Sequence, residues 1–217
     1  MTFFPRAMTR NVLSALYQFI GEEGRRQTRS SGKDGRELED KTSKRIYDLV
    51  RGYGIKALSP RSPLEYPSLS GIKHQIDNCM VDGKIIYLIE CKSGMHKIDH
   101  LYSFNAKIID HALGFEAIGL GLSIRGIFLS TSEIGYNSRV FAFTYGIIPI
   151  DPVVPPLEHI MSKVPEGEPL REKLLRLEQK LTVYMPDLLR SKERRDSAKI
   201  TREFMHCFQE WKEMGYA

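Results

Sequence analysis

Cysteine is scarce in these 217 residues: Cys79, Cys91 and Cys207 make three, an odd number with no Cys-x-x-Cys spacing. That excludes a disulfide framework or a zinc knuckle as the organising device and leaves the thiols as small buried hydrophobes. Long apolar runs are missing too, since nothing approaches the roughly 18 consecutive apolar residues that a membrane span requires. Val12, Leu13, Leu16, Phe19 and Ile20 recur at helical spacing near the N-terminus, yet Arg6, Arg10 and the Glu22-Glu23 pair interrupt any signal-like stretch. An intracellular, cytoplasmic protein with no membrane partner is the expectation. Charge of one sign is not concentrated either. Lys and Arg exceed Asp and Glu by five and the pI is about 9.0, a mild bias towards anionic partners rather than a basic tail. Internal repeats and long low-complexity segments are also lacking.

What is present suits one core with additional helices. An amphipathic helix over residues 7–21 runs into a Gly/Ser/Arg stretch from Gly24 to Gly32, read as a mobile basic loop. Leu38, Thr42, Ile46, Leu49 and Val50 predict a helix from Glu37 to Arg51, with Gly52 and Gly54 as stop signals. Prolines and serines between Ala57 and Gly71 predict irregular structure with room for a short edge strand. Lys73–Val81 and Lys84–Lys92 read as strands around Asp82-Gly83, the strongest short hairpin signal. A helix over 97–113, a buried strand over Arg125–Ser130, a short helix over Asn137–Tyr145 and a strand over Gly146–Ile150 follow. Beyond Asp151 a Pro-rich joint, Pro152 to Pro156, leads to two stripes: Leu170, Leu174, Leu177 and Leu181, then Ile200, Phe204, Phe208 and Trp211. The expected division is an N-terminal helix and basic loop over 1–34, an α/β core over 35–151, and a C-terminal helical extension packed on that core over 152–217. The C-terminal stripes serve internal packing or a homodimer surface.

A two-residue turn at Asp82-Gly83 pairs Val81 with Lys84, and counting outwards sets Asp77 opposite Leu88 and Gln75 opposite Glu90. Side chains alternate, so Gln75, Asp77, Leu88, Glu90 and Lys92 share one face, with Asp77 and Glu90 diagonal neighbours about 7–8 Å apart at their backbones. Ile76, Met80, Ile85, Tyr87, Ile89 and Cys91 fall on the other face and belong in a core. Two carboxylates that converge on one ion suit Mg2+ or Mn2+, and a lysine beside them suits phosphodiester hydrolysis, where it positions or deprotonates water or offsets phosphoryl charge. The competing reading is an ordinary half-solvated sheet whose Glu90 and Lys92 form surface ion pairs.

Gln75-Ile-Asp77 followed by Tyr87-Leu-Ile-Glu90-Cys-Lys92-Ser-Gly94, with a preceding helix bearing Gly35-Arg-Glu-Leu-Glu39, resembles the PD-(D/E)XK nuclease superfamily, which includes restriction endonucleases. The resemblance covers roughly residues 35–150. The stretch Gly71-Ile-Lys-His-Gln-Ile lacks the proline of the superfamily's name, and the flanks match no subfamily. It implies a restriction-endonuclease-like core with a mixed central sheet flanked by helices. It also implies a metal held by Asp77 and Glu90 with the Cys91 carbonyl and Glu39, where Glu37 competes, and Lys92 as signature lysine. DNA is favoured over RNA, and the alternative is a nuclease-fold protein that binds nucleic acid or partners without cutting.

Gln75 then orients a phosphate or a water, or is a solvated strand residue. On the helix after the motif, His96, His100, Ser103, Lys107 and His111 share a stripe that faces either nucleic-acid phosphates or solvent. His96 and His100 have helical i, i+4 spacing but no third ligand for zinc. Lys107, Lys73 and Arg36 are the expected nucleic-acid contacts, Arg36 closing a basic stretch from Arg25-Arg26 that either clamps a strand or is a solvated linker.

Overall fold

The run Ile85–Lys92 is buried from Ile85 to Cys91, and such a near-continuous apolar run is what a strand carries when helices cover both faces of its sheet. The computed structural model describes residues 7–27, 35–51, 56–58, 67–95, 97–119, 121–181 and 196–216. In chain order these form α1 (Ala7–Gln27), α2 (Gly35–Val50), β1 (Lys56–Leu58), β2 (Asn78–Asp82), β3 (Ile85–Lys92), α3 (Ile98–Ala117), β4 (Ser123–Ser130), α4 (Tyr136–Thr144), β5 (Ile147–Ile150), α5 (Leu157–Lys163), α6 (Pro169–Leu181) and α7 (Ser197–Glu213). None of these helices is long and apolar enough to cross a membrane.

The strands form one mixed sheet in the order β1-β2-β3-β4-β5. β1, β2 and β3 are antiparallel neighbours, whereas β3, β4 and β5 run parallel through the crossovers α3 and α4. Met80, Ile85, Tyr87, Ile89 and Cys91 pack with Leu13, Leu16, Ile20, Leu38 and Ile46 of α1 and α2. Cys79, Ile86 and Leu88 pack on the other face with Leu101, Phe104 and Ile108 of α3. The chain is therefore an α/β protein with a mixed sheet between helical layers. Gly126 allows α3 its approach, because a Cβ there would stand 2.4 Å from Ile108 Cδ1 and 3.0 Å from Phe104.

The hairpin register differs from the sequence expectation. Asp82 pairs with Ile85 and Asn78 with Ile89, so the two turn residues are Gly83 and Lys84. Gly83 has φ +60° and no described non-glycine residue has positive φ, which makes this a turn with glycine first and an ordinary residue second. An Asp82-Gly83 turn of the expected kind needs positive φ at both central residues. The shift moves each pair by two residues, which preserves the faces but changes the partners: continued by one residue, the ladder sets Asp77 opposite Glu90. β2 begins only at Asn78, alternation stops there, and Ile76 joins the α3 cluster rather than the opposite one.

α1 also runs past its expected end into the expected basic loop. Gly24 explains it: a Cβ there would lie 3.0 Å from the Thr131 carbonyl and 3.2 Å from Pro152, so glycine here serves a close approach of the helix rather than a loop. Glu23, buried, takes Arg26 at 2.6 Å and Lys41 of α2 at 2.9 Å, joining the two helices. The remainder of the expected basic loop, residues 28–34, lies outside the described residues. At the C-terminal end, α5, α6 and α7 close a third cluster around Leu174, Phe204 and Trp211. Arg10 of α1 reaches Glu178 of α6 at 2.8 Å.

Candidate active site

Glu90 is the last acidic residue before β3 ends, and alternation along that strand points it, with Lys92, to the α3 side. Burying a carboxylate among apolar neighbours is costly unless charges and donors compensate it. Glu90 is 6% exposed and both its oxygens are compensated: Lys92 Nζ lies 2.7 Å from Oε1 and Lys107 Nζ 3.3 Å from Oε2. Asp77, 7% exposed, accepts the Cys91 amide at 2.8 Å. Both carboxylates are therefore buried rather than solvated, while Lys92 of the same face is partly exposed and Gln75 exposed.

The electrostatics follow from that crowding. Burial, then the Glu90 charge, pushes the Asp77 carboxyl up to about 6, against the Cys91 hydrogen bond and the Lys92 charge, which pull it down. Burial alone would lower the Lys92 ammonium, but the Glu90 hydrogen bond and the charges of Glu90 and Asp77 outweigh it and raise its pKa. Lys92 therefore stays a cation at neutral pH.

Cys91 divides into two parts. Burial raises its thiol pKa, and the side chain faces α1 and α2, where it accepts a hydrogen bond from Asn78 Nδ2 at 3.8 Å. The Lys92 carbonyl accepts the Thr131 amide of the β4 side at 3.1 Å, and successive peptide groups in a strand point opposite ways, so the Cys91 peptide groups turn towards Asp77. Glu39 on α2 is half-buried and close enough for its charge to raise the Asp77 pKa. The turn after the strand is fixed by Gly94, whose amide donates to Thr131 Oγ1 at 2.9 Å and whose carbonyl accepts Ser132 Oγ at 2.6 Å.

The other candidates fare differently. Gln75 does not sit opposite Glu90; its side chain is exposed and its carbonyl accepts Lys107 Nζ at 2.9 Å. Lys107 lies in the site rather than on an outer nucleic-acid stripe, because the segment 67–76 folds over that side of α3. His111, expected on the same open stripe, is fully buried and its Nδ1 donates to the Pro67 carbonyl at 3.1 Å. Asp110, which the sequence reading missed, takes the Ser70 amide at 2.8 Å and His74 Nε2 at 2.7 Å. Its signal was present: a carboxylate in the same turn as Lys107 and His111. Lys73 is exposed on the segment before Asp77. Arg36 falls in the first turn of α2 with its side chain outside the described residues, as is His96 altogether.

No family model and no curated protein matches the chain. Among solved structures it is similar to a protein of unknown function, with 13% identity and a TM-score of 0.33 over 79% of this chain and 95% of that one. It is also similar to the small subunit of the heterodimeric restriction endonuclease R.BspD6I, with 15% identity and a TM-score of 0.35 over 91% of this chain and 96% of that one. Likeness at this level carries no conclusion about activity.

Proposed function

We propose that this chain is a divalent-metal-dependent nuclease that hydrolyses phosphodiester bonds, with DNA as the favoured polymer. The observation that carries the reading is the meeting of two buried carboxylates, Asp77 and Glu90, with an obligate cation, Lys92, at the end of a central strand. Such an arrangement costs stability, and groups held at a cost cluster where chemistry is done.

The donor set fits Mg2+ or Mn2+. Both are hard cations that take one or two carboxylates and complete their shell with carbonyl oxygen and water. Among the described residues no three Asp, Glu, His or Cys side chains gather as a ready ligand group, so the proposed set is Asp77, Glu90 and the Cys91 carbonyl, with Glu39 nearby. When bound, the ion supplies Lewis acidity to the phosphoryl group and to the attacking water. Lys92, protonated, supplies positive charge where the phosphoryl oxygens gain negative charge, rather than acting as the base. Asp77 and Glu90 are held by Cys91 and by the lysines before substrate arrives, which lowers the reorganisation needed for reaction.

Incubating the chain with single- and double-stranded DNA and RNA, with and without Mn2+, identifies the polymer. Metal-dependent cleavage of any of them supports the reading. Binding without cleavage in all conditions would place the chain among non-cutting nucleic-acid binders instead.

A further inference from the structure

Four residues of α3 at helical spacing, Lys107, Asp110, His111 and Gly114, grip one segment, residues 67–75. Gly114 admits it, since a Cβ there would stand 2.7 Å from the Pro67 carbonyl. His111 holds that same carbonyl, and Asp110 holds Ser70 and His74. Lys107 makes the last grip, on the Gln75 carbonyl at 2.9 Å, two residues before Asp77. The same ammonium reaches Glu90 Oε2 at 3.3 Å. One side chain thus ties together the helix, the segment that delivers the first carboxylate and the strand that bears the second.

We propose that Lys107 is a positioning residue of the site, a second lysine that fixes Glu90 and the approach to Asp77 while Lys92 turns to the substrate phosphate. The inference rests on the nuclease reading for its consequence but on geometry for its content. The two lysines hold different oxygens of Glu90, so when Lys92 leaves Oε1 for a phosphate, Glu90 still has a cation and a fixed orientation. Lys107 cannot follow, because the Gln75 carbonyl holds it. Its charge also opposes entry of a divalent cation beside Glu90, so it tunes metal affinity downward.

The test compares wild type, Lys107→Met and Lys107→Arg as full-length chains. Mn2+ affinity is read by electron paramagnetic resonance in the absence of nucleic acid, and kcat and KM are read on the polymer that is cut. Loss of the opposing charge should tighten Mn2+ binding roughly threefold or more in Lys107→Met. Loss of positioning should lower kcat about tenfold or more with KM changed by less than about threefold, and Lys107→Arg should recover most of the rate. Mn2+ affinity equal in wild type and Lys107→Met, including binding to neither, overturns the proposal. So does unimpaired turnover in Lys107→Met, or a rate in Lys107→Arg as low as in the methionine variant. If the wild type cuts nothing, the nuclease reading fails while the Mn2+ comparison still decides the place of Lys107.

Discussion

The Asp77 carboxylate accepts the backbone amide of Cys91 at 2.8 Å, which ties the first acidic residue of the site to the strand between Glu90 and Lys92. The bond holds Asp77 in position although its surroundings disfavour its charge. On the proposed reading, function and stability are therefore opposed at this residue.

The opposition has a pH signature. The Asp77 carboxyl has an ordinary value of 3.8 and stands at about 6 in the folded protein. Between these values the folded state holds a proton that the unfolded chain has lost, so stability falls as pH rises through the window. At 1.36 kcal/mol per unit the full cost above it is up to roughly 3 kcal/mol. Asp77→Asn keeps an acceptor for the Cys91 amide, and near neutral pH it should stabilise the metal-free protein by roughly 1–2 kcal/mol in urea unfolding. The gain should vanish at about pH 4, below the folded value. Equal stability of the two proteins at both pH values would contradict the burial argument.

The proposed contribution of Cys91 is its backbone, not its sulfur. Cys91→Ala should leave Mn2+ affinity and any cleavage rate within about threefold of wild type while costing roughly 1 kcal/mol through the space left against α1 and α2. Loss of Mn2+ binding in that variant would show the thiol to be a ligand after all.

Asp110 carries no charge to the site yet anchors the segment that precedes Asp77. Burial is the largest single influence and raises its pKa, but the hydrogen bonds from Ser70 and His74, with the His74 charge, together outweigh it and pull it down to about 2. A carboxylate so depressed supports the fold above its ordinary value, and that support is lost as pH falls towards 2. Asp110→Ala should speed hydrogen exchange of the Ser70 amide at least about tenfold at neutral pH, with little change at central-strand amides such as Leu88. Unchanged exchange at Ser70 would mean that the other grips suffice.

Asp151, at the end of β5, is fully buried and pairs with buried Arg139. Its oxygens also accept the amides of Ile134, Val153 and Val154, each at 2.8 Å. Removing one partner of such a pair leaves a buried charge uncompensated. Asp151→Ala should therefore cost about 3–5 kcal/mol or prevent folding, measured by the denaturant midpoint or soluble yield. A loss below about 1 kcal/mol would mean that the site relaxes and admits water.

The sequence carried the hairpin, the faces of its paired residues and the meeting of Asp77, Glu90 and Lys92, because period-two alternation survives a register error of two residues, whereas Ile76, beyond the paired strand, took the face opposite to the expected one. It did not carry the pairing itself. Asp82-Gly83 and Gly83-Lys84 are both acceptable turns, and only packing on both sides of the sheet selects between them. Helix α3 shows the other limit: its stripe of Lys107, Asp110 and His111 is polar, so it reads as an outer face. A polar stripe that meets the carbonyls and side chains of another segment is equally well satisfied, and periodicity cannot distinguish that from water. Gly24 reads as the start of a loop for the same reason, since a glycine required by a neighbouring backbone looks like any other.

The assignment of Asp77, Glu90 and Lys92 is decided by Mn2+-dependent hydrolysis of a defined DNA duplex and its single strands by wild type, Asp77→Ala and Lys92→Met, purified in parallel, with a chelator control. Wild type is expected to cleave, the chelator to abolish cleavage, and each variant to lose it by about a hundredfold or more. Equal cleavage by all three proteins would trace the activity to a contaminant or another site, and would contradict the assignment of Asp77, Glu90 and Lys92 as the site of chemistry.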